Sequence, residues 1–501
     1  MDDRRVLEAI FRYIDEHEDP AAYEDAFSCL RNITGDGRDL FLSKILKSKI
    51  SRGIKRGLNL YDLHKRVLCY EAPECFDSFM LYLESGRPLD AQFWFPRRRV
   101  LLPVAQALED LEKGDLKELF LSQPPRTGKS TLVMMFTLWA MGRDTERTNL
   151  YCSFSEKTVD PFYNGVLEVL TDQTTYKWYD VFPGGTIAST NAKDGLINLG
   201  RRRRFASLTC RPIGGSLNGS CDANGYIIGD DLCSGIEEAM SRDRMNSLWT
   251  IVDNNFITRA LPSAKRIWMG TRWSIYDPTG IRMELLRNDP AYAGWKWKDI
   301  NLPAINDRDE SNFEYDFHKG FSTDDYIQRR ASFERRGDMA SWFAQYQGEP
   351  IEREGEVFSP DSLRYYNGVL PEDPDRIFMV IDPAWGGGDY VAGPVIYQYG
   401  EDLYVHDVIF NNGDKKVTQP LIVGKIKANN VAAVKVEGTK MTSSYGEDID
   451  KALRSENIRI NMQINVKHFS GTGKRDRIFD KSPDIKAHKC NLLQLVGHSC
   501  V

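Results

Sequence analysis

The sequence predicts an α/β protein with mostly parallel sheets covered by helices, and three features carry that expectation. A short apolar segment, Leu119-Phe120-Leu121, enters the polar loop Ser122–Thr131 and then the stretch Leu132–Met141, which reads as a buried helix. A second apolar segment, Tyr226-Ile227-Ile228, ends in Gly229-Asp230-Asp231. From about residue 92 onward strand-like and helix-like patterns alternate, as βαβ units do.

Taken in order, residues 1–90 are rich in helix formers. Leu7, Ile10, Phe11 and Ile14 recur at helical spacing, as do Leu40, Leu42, Ile45, Leu46 and Ile50, so a small helical region is expected there. Residues 91–347 are expected to form the first α/β domain. Inside it Asn149–Ser155 reads as a core strand, Gly214–Gly219 as a flexible loop and Arg266–Trp273 as a further strand with a polar end. The charged segment Gly348–Gly355 contains Pro350 and lacks apolar periodicity, which marks residues 348–356 as a linker. Residues 357–501 then form a second α/β domain, opened by the strand Ile377–Ile381.

Of 501 residues, 41% are hydrophobic and 11% aromatic, enough for substantial cores and against global disorder. A net charge of −6 excludes a globally basic nucleic-acid binder. Contacts with DNA would have to use local runs such as Arg97-Arg98-Arg99 and Arg201–Arg204, whose plainer reading is a solvated charged face. The nine cysteines form no C-x-x-C pair, and the start Met1-Asp2-Asp3-Arg4-Arg5 has no signal-peptide core. No run approaches the ~20 apolar residues that span a bilayer. A protein of a reducing cytoplasm, with free thiols and no membrane contact, is expected.

The loop Gln123-Pro124-Pro125-Arg126-Thr127-Gly128-Lys129-Ser130-Thr131 lies between strand and helix, where a phosphate-binding loop belongs, although Gln123 replaces its first glycine. Backbone N–H groups and the helix N-terminus would surround the phosphates of ATP. Lys129 would reach the β/γ oxygens and Ser130 would hold Mg²⁺. The acidic strand end supplies the rest: Asp230 on the metal and Asp231 orienting or deprotonating the attacking water. Thr271 is placed to sense the γ-phosphate, Arg272 to contact nucleotide or an adjacent element, and Arg126 to stabilise the transferred phosphoryl group.

Together these motifs resemble the large terminase subunit of tailed bacteriophages, the motor that packages DNA. Pro-Pro-Arg-x-Gly-Lys-Ser, the strand ending in Asp230-Asp231, Thr271-Arg272-Trp273 with Ser274 for the usual histidine, and Gln345-Tyr346-Gln347 all fit that family. The resemblance implies a second domain of ribonuclease-H-like fold that cuts DNA with carboxylates and divalent metal. Asp382-Pro383-Ala384 matches its first acidic strand, and Val434-Lys435-Val436-Glu437-Gly438 its second. Asp382 and Glu437 would then hold Mg²⁺ or Mn²⁺, with Asp389 and Asp407 near in sequence. Further implications are ATP-driven packaging of double-stranded DNA, cutting of concatemers, a small terminase subunit, a portal and procapsid, a homo-oligomeric ring, and the cytoplasm of an infected or lysogenic bacterial host.

The match covers roughly Phe93 to Ile485. The family's third acid lies farther on, and no acidic residue follows Asp484 here. The stretch 486–501 holds two of the nine Cys and two of the seven His and reads as an atypical tail. A zinc reading of His488, Cys490, His498 and Cys500 lacks finger spacing. The expectation is therefore an intact ATPase and a C-terminally incomplete nuclease that cuts weakly or not at all. The alternatives are a P-loop helicase or repair translocase, which leaves Asp382 and Glu437 without a role, and a relic that assembles with capsid proteins without complete chemistry.

Overall fold

The computed structural model describes residues 3–215, 217, 219–350, 364–383, 390–438, 443–466 and 490–493. The chain divides into two compact units, residues 1–352 and 353–501.

The first unit opens with helices α1 (Asp3–Glu16), α2 (Pro20–Thr34), α3 (Leu40–Lys55), α4 (Tyr61–Glu71) and α5 (Phe76–Leu83). Asp19 and Asp39 cap α2 and α3 by accepting N–H groups of their first turns. The apolar stripes of α1 and α3 close on Tyr23, Phe27, Leu30, Leu63 and Val67 as one core. Helix α5 departs from this grouping. Its Phe76, Phe79, Met80 and Leu83 pack into the core of the sheet that follows. The carboxylate of buried Glu71 pairs with Lys47 and accepts from Ser43 at 2.9 Å and Ser78 at 2.5 Å, tying α3, α4 and α5 together.

Next come α6 (Trp94–Lys113), β1 (Glu118–Ser122), α7 (Lys129–Arg143), β2 (Asn149–Ser153), α8 (Glu156–Thr171), β3 (Ile187–Asn191), β4 (Leu196–Leu199), β5 (Leu208–Pro212), β6 (Tyr226–Asp230), β7 (Lys265–Met269) and β8 (Trp297–Asn301). They form one sheet in the order β3-β4-β5-β2-β6-β7-β1-β8. The six strands from β5 to β8 in that order are parallel, and β3 and β4 are antiparallel additions. Strands covered on both faces read as continuous apolar runs, and alternate residues serve opposite cores. Leu119, Leu121, Tyr151, Tyr226, Ile228 and Met269 meet α6, α7 and α8. Phe120, Leu150, Cys152, Ile227 and Trp268 meet the helices Arg242–Ile251 and Pro278–Asn288. The strand expected over 266–273 stops at Met269, where the chain leaves the sheet to build the site. A short hairpin, β9 (Glu314–Tyr315) with β10 (Lys319–Gly320), follows.

The second unit contains β11 (Arg364–Tyr366), β12 (Arg376–Ile381), β13 (Val391–Tyr399), β14 (Asp402–Asn411), β15 (Ala433–Gly438), β16 (Asn461–Val466) and β17 (Cys490–Leu493). Their order is β11-β17-β14-β13-β12-β15-β16. An antiparallel meander, β12-β13-β14, is extended by β15 and β16, both parallel to β12 and reached through the helices Lys415–Ala428 and Ser443–Ser455. This is the ribonuclease-H-like arrangement that the resemblance implied. Within the stretch set apart by its composition, Cys490–Leu493 joins the sheet between β14 and β11.

One buried ionic cluster holds the first sheet at β1. Glu118 is fully buried and accepts from Arg266 at 2.6 Å, from Trp268 Nε1 at 3.0 Å and from Arg282 at 2.5 and 3.1 Å. Glu118→Gln keeps the shape but strands two guanidinium groups. It is expected to cost about 3–5 kcal/mol of stability, read as a lower denaturant midpoint at unchanged slope. An unaltered midpoint would mean that Arg266 and Arg282 find other partners.

Candidate functional site

The turn between β1 and α7 carries the phosphate loop. Arg126 and Gly128 adopt φ of 65° and 98°. A Cβ at Gly128 would come within 2.9 Å of the Phe93 ring, so only glycine fits beneath α6. Gln123 stands where such a loop normally begins with glycine, and its side chain is buried under the loop. Thr127 Oγ1 lies 2.8 Å from the Pro124 carbonyl and 3.2 Å from Gln123 Oε1. The Tyr315 hydroxyl on β9 donates to the Thr127 carbonyl at 2.7 Å. Gln123 and Thr127, which belong to the expected nucleotide loop, turn their side chains toward each other within it.

Above the loop lies a cavity of about 400 Å³. Pro124, Pro125, Arg126, Gly128, Lys129, Ser130 and Thr131 line one side, Asp231 and Thr271 another. Strand β7 separates β1 from β6, so its end brings Thr271 between the loop and the acidic strand. The Thr271 N–H donates to Asp231 Oδ1 at 2.7 Å, and Lys129 Nζ lies 4.0 Å from the same oxygen. Asp231 reaches this position with φ 43°. A Cβ at Gly270 would lie 2.9 Å from Asp231 Oδ1, so the glycine permits the approach.

Asp230 is buried behind Ser130. Its Oδ2 accepts from Ser130 Oγ at 2.8 Å and from the Tyr151 hydroxyl at 2.9 Å, while Oδ1 is buried without a hydrogen-bond partner. Burial first, and then the charge of Asp231, push its pKa up to about 6; Lys129 and the two hydroxyls act in the opposite direction. An orphaned carboxylate oxygen beside a serine hydroxyl is a hard oxygen donor set. Ser130 and Asp230 therefore fit Mg²⁺.

Three residues of this site escaped the sequence reading. Tyr151 on β2 stacks on Phe162 with centroids 3.7 Å apart, which aims its hydroxyl at Asp230. Its only signal was a polar-tipped aromatic near a strand end. Phe93 and Arg97, at the start of α6, also line the cavity. Buried Glu84 holds this turn by accepting from the Phe93 and Trp94 N–H groups at 2.7 and 3.3 Å. Arg97 lies over the Phe93 and Tyr315 rings at 4.9 and 5.3 Å, and its Nε is buried without a partner.

Within the two arginine runs, several side chains have partners in the fold, while Arg201, Arg202 and Arg204 remain exposed. Arg98 pairs with Asp77 at 2.7 and 2.9 Å, and Arg99 donates to the Glu314 carbonyl at 3.1 Å. Arg201 pairs with Glu146 at 2.7 Å, and Arg203 bonds the Thr145 carbonyl. Of Arg272's two expected contacts, the structure provides the adjacent element. Buried Arg272 Nε lies 3.1 and 3.2 Å from the Asp277 carboxylate, which caps the helix Pro278–Asn288 through the Gly280 N–H. It does not line the cavity.

In the second unit, Asp382 and Glu437 each stand one residue past the paired residues Ile381 and Val436 of parallel β12 and β15. Ile381 and Val436 are buried against the helices, so the two acids share the opposite face. Asp407 is no part of this pair: it binds Lys425 at 2.5 Å and Asn429 at 3.2 Å. Asp389, His488, His498 and Cys500 lie outside the described residues. Among the described residues no group of three or more His, Cys, Asp or Glu is arranged to hold a metal, and no helix is long and apolar enough to cross a membrane.

No family model and no curated protein matches the sequence. Among solved structures, the HK97 bacteriophage large terminase is similar over 84% of this chain and 90% of its own, at 10% identity and TM-score 0.38. The large terminase from a thermophilic bacteriophage is similar over 81% and 88%, at 11% identity and TM-score 0.33. The human cytomegalovirus terminase nuclease domain, Mn-soaked and inhibitor-bound, is similar over 28% and 75%, at 11% identity and TM-score 0.20.

Proposed function

We propose that the chain is an ATP-hydrolysing DNA-packaging motor of the large-terminase kind, with a metal-dependent nuclease in its second unit. The observation that carries the ATPase is the pair at the end of β6: Asp231 lines the cavity above the loop, and Asp230 lies behind Ser130. Asp230 is buried, with one oxygen held by Ser130 and Tyr151 and the other unpartnered. Asp231 is drawn toward Lys129 by the Thr271 N–H.

In this reading the backbone of 124–129 and Lys129 hold the ATP phosphates, Ser130 and Asp230 hold Mg²⁺, and Arg126 and Arg97 supply positive charge at the γ-phosphate. The bound ion supplies charge neutralisation across the phosphates. Asp231 orients the attacking water and takes its proton; Thr271 N–H sets the carboxylate. Arg272 and Asp277 then tie the loop after β7 to a helix of the opposite layer, a route from hydrolysis to movement. Asp382 and Glu437 bind Mg²⁺ or Mn²⁺ for phosphodiester cutting. Double-stranded DNA, a small subunit, a portal on the procapsid, a ring of copies and the cytoplasm of an infected bacterium complete the proposal, and they rest on the sequence resemblance.

Lys129→Ala is expected to abolish ATP hydrolysis, whereas Asp231→Asn should bind ATP and not turn it over. Asp231→Asn hydrolysing near the parental rate would remove Asp231 from its role. Asp382→Ala should eliminate whatever Mn²⁺-dependent plasmid cutting the parent chain shows and leave ATPase activity intact; cutting that survives the substitution places the nuclease elsewhere.

A pH dependence follows from the raised pKa of Asp230. Protonation opposes metal binding, so Mg²⁺-ATP affinity should fall about tenfold per pH unit below about 6 and level off above it. Because burial disfavours the charged form, Asp230→Asn should raise the thermal midpoint of the nucleotide-free protein at pH 8 while erasing its Mg²⁺-dependent shift. Tyr151→Phe removes a bond that stabilises the carboxylate, so the pH midpoint should move upward. A midpoint unmoved in Tyr151→Phe would show that the tyrosine does not set Asp230.

A further inference from the structure

Across the second sheet, the register aligns four residues in one row on one face. Asp382 pairs with Ala392 through both backbone bonds, at 2.8 and 3.1 Å, and Ala392 pairs with Phe410 on β14. Glu437 lies on the other side of Asp382. Neighbouring residues of paired strands point the same way, so Glu437, Asp382, Ala392 and Phe410 share this face. Among the described residues, both helices of the unit pack on the opposite face through Ile422, Ile426, Tyr445 and Ile449. Phe410 is 66% exposed and stacks on Tyr390, itself 47% exposed, with centroids 4.4 Å apart and planes 9° from parallel. Two strand spacings of ~4.8 Å put this ring pair about 10 Å from Asp382. Exposed Lys435 sits one row below, on the same face as Glu437.

We propose that Phe410 and Tyr390 form a stacking platform for a nucleobase of an unpaired DNA strand whose backbone runs over Asp382 and Glu437. The proposal rests on the nuclease reading of the acidic pair. A flat, preformed aromatic stack with a free outer face suits any base, because every base has a π-face, and it gives no sequence preference. Bases inside a duplex already stack on one another, so the platform selects a frayed or melted end. In this row a small side chain, Ala392, stands between the acids and the rings. Lys435, one row below, supplies a charge for phosphate beside a row that mixes acid with aromatic, a pattern unlike an apolar protein-docking patch.

The full chain is tested with a single-stranded oligonucleotide carrying 5-iododeoxyuridine, with Ca²⁺ in place of the cutting ion. Irradiation should cross-link the strand to Phe410 or Tyr390, located by peptide mass spectrometry. Phe410→Leu keeps an exposed apolar side chain, leaves the buried face untouched and removes the ring. It should weaken binding of single strands about tenfold and leave blunt duplex binding unchanged, whereas Phe410→Trp restores the single-strand affinity. Cross-links confined to other residues, or equal single-strand affinity in Phe410→Leu, would overturn the platform. So would a loss shared equally by duplex and single strand, or cross-linking of an added protein partner there in preference to DNA. Failure of the nuclease reading registers separately, as plasmid cutting that survives Asp382→Ala.

Discussion

Asp230 is a carboxylate almost sealed inside a parallel sheet, and the rest of the first unit is arranged around what it lacks. A buried carboxylate is costly unless its oxygens are satisfied. Ser130 and Tyr151 satisfy Oδ2, and Oδ1 has no donor among the described residues. The unpartnered oxygen is the feature on which the proposed Mg²⁺ site rests. Placing Asp230 there requires β6 and β2 to be neighbours, and placing Ser130 there requires β1 to end at the same edge of the sheet.

The second constraint is backbone geometry at that edge. Arg126 and Asp231 both adopt left-handed backbone conformations, a cost of order 1–3 kcal/mol each. The surroundings over-determine them: Tyr315 clamps the Thr127 carbonyl, and the Met269 carbonyl receives the Asp231 N–H at 2.9 Å. Glu84 then fixes the first turn of α6, which sets Phe93 over Gly128. The helical segments before the sheet therefore shape the cavity through α5 and α6 and are more than an appendage.

The second unit applies the same economy to one face. Its helices cover the side carrying Ile381, Val395, Ile409 and Val436, and the acids fall on the other side because strand residues alternate. Asp407 shows how parity decides: it lies on the helix side and is consumed by Lys425 and Asn429.

Much was legible in the sequence for a physical reason. Strands covered on both sides must be apolar throughout, so β1, β2, β6 and β7 stood out. Polar residues at their ends are displayed at the edge, which made Lys129, Ser130, Asp230, Asp231, Asp382 and Glu437 visible as candidates. Only the tertiary structure decided which side chains meet across elements. Tyr151, Phe93 and Arg97 reach the site from strands and helices whose adjacency depends on strand order, and no local pattern encodes that order. The sequence left open whether Arg272 meets nucleotide or an adjacent element, and the fold sets Asp277 beside it; that the Gln123 side chain is buried against Thr127 was equally invisible. Charge runs were ambiguous for the same reason: whether an arginine faces solvent, DNA or a carboxylate is settled by what folds against it.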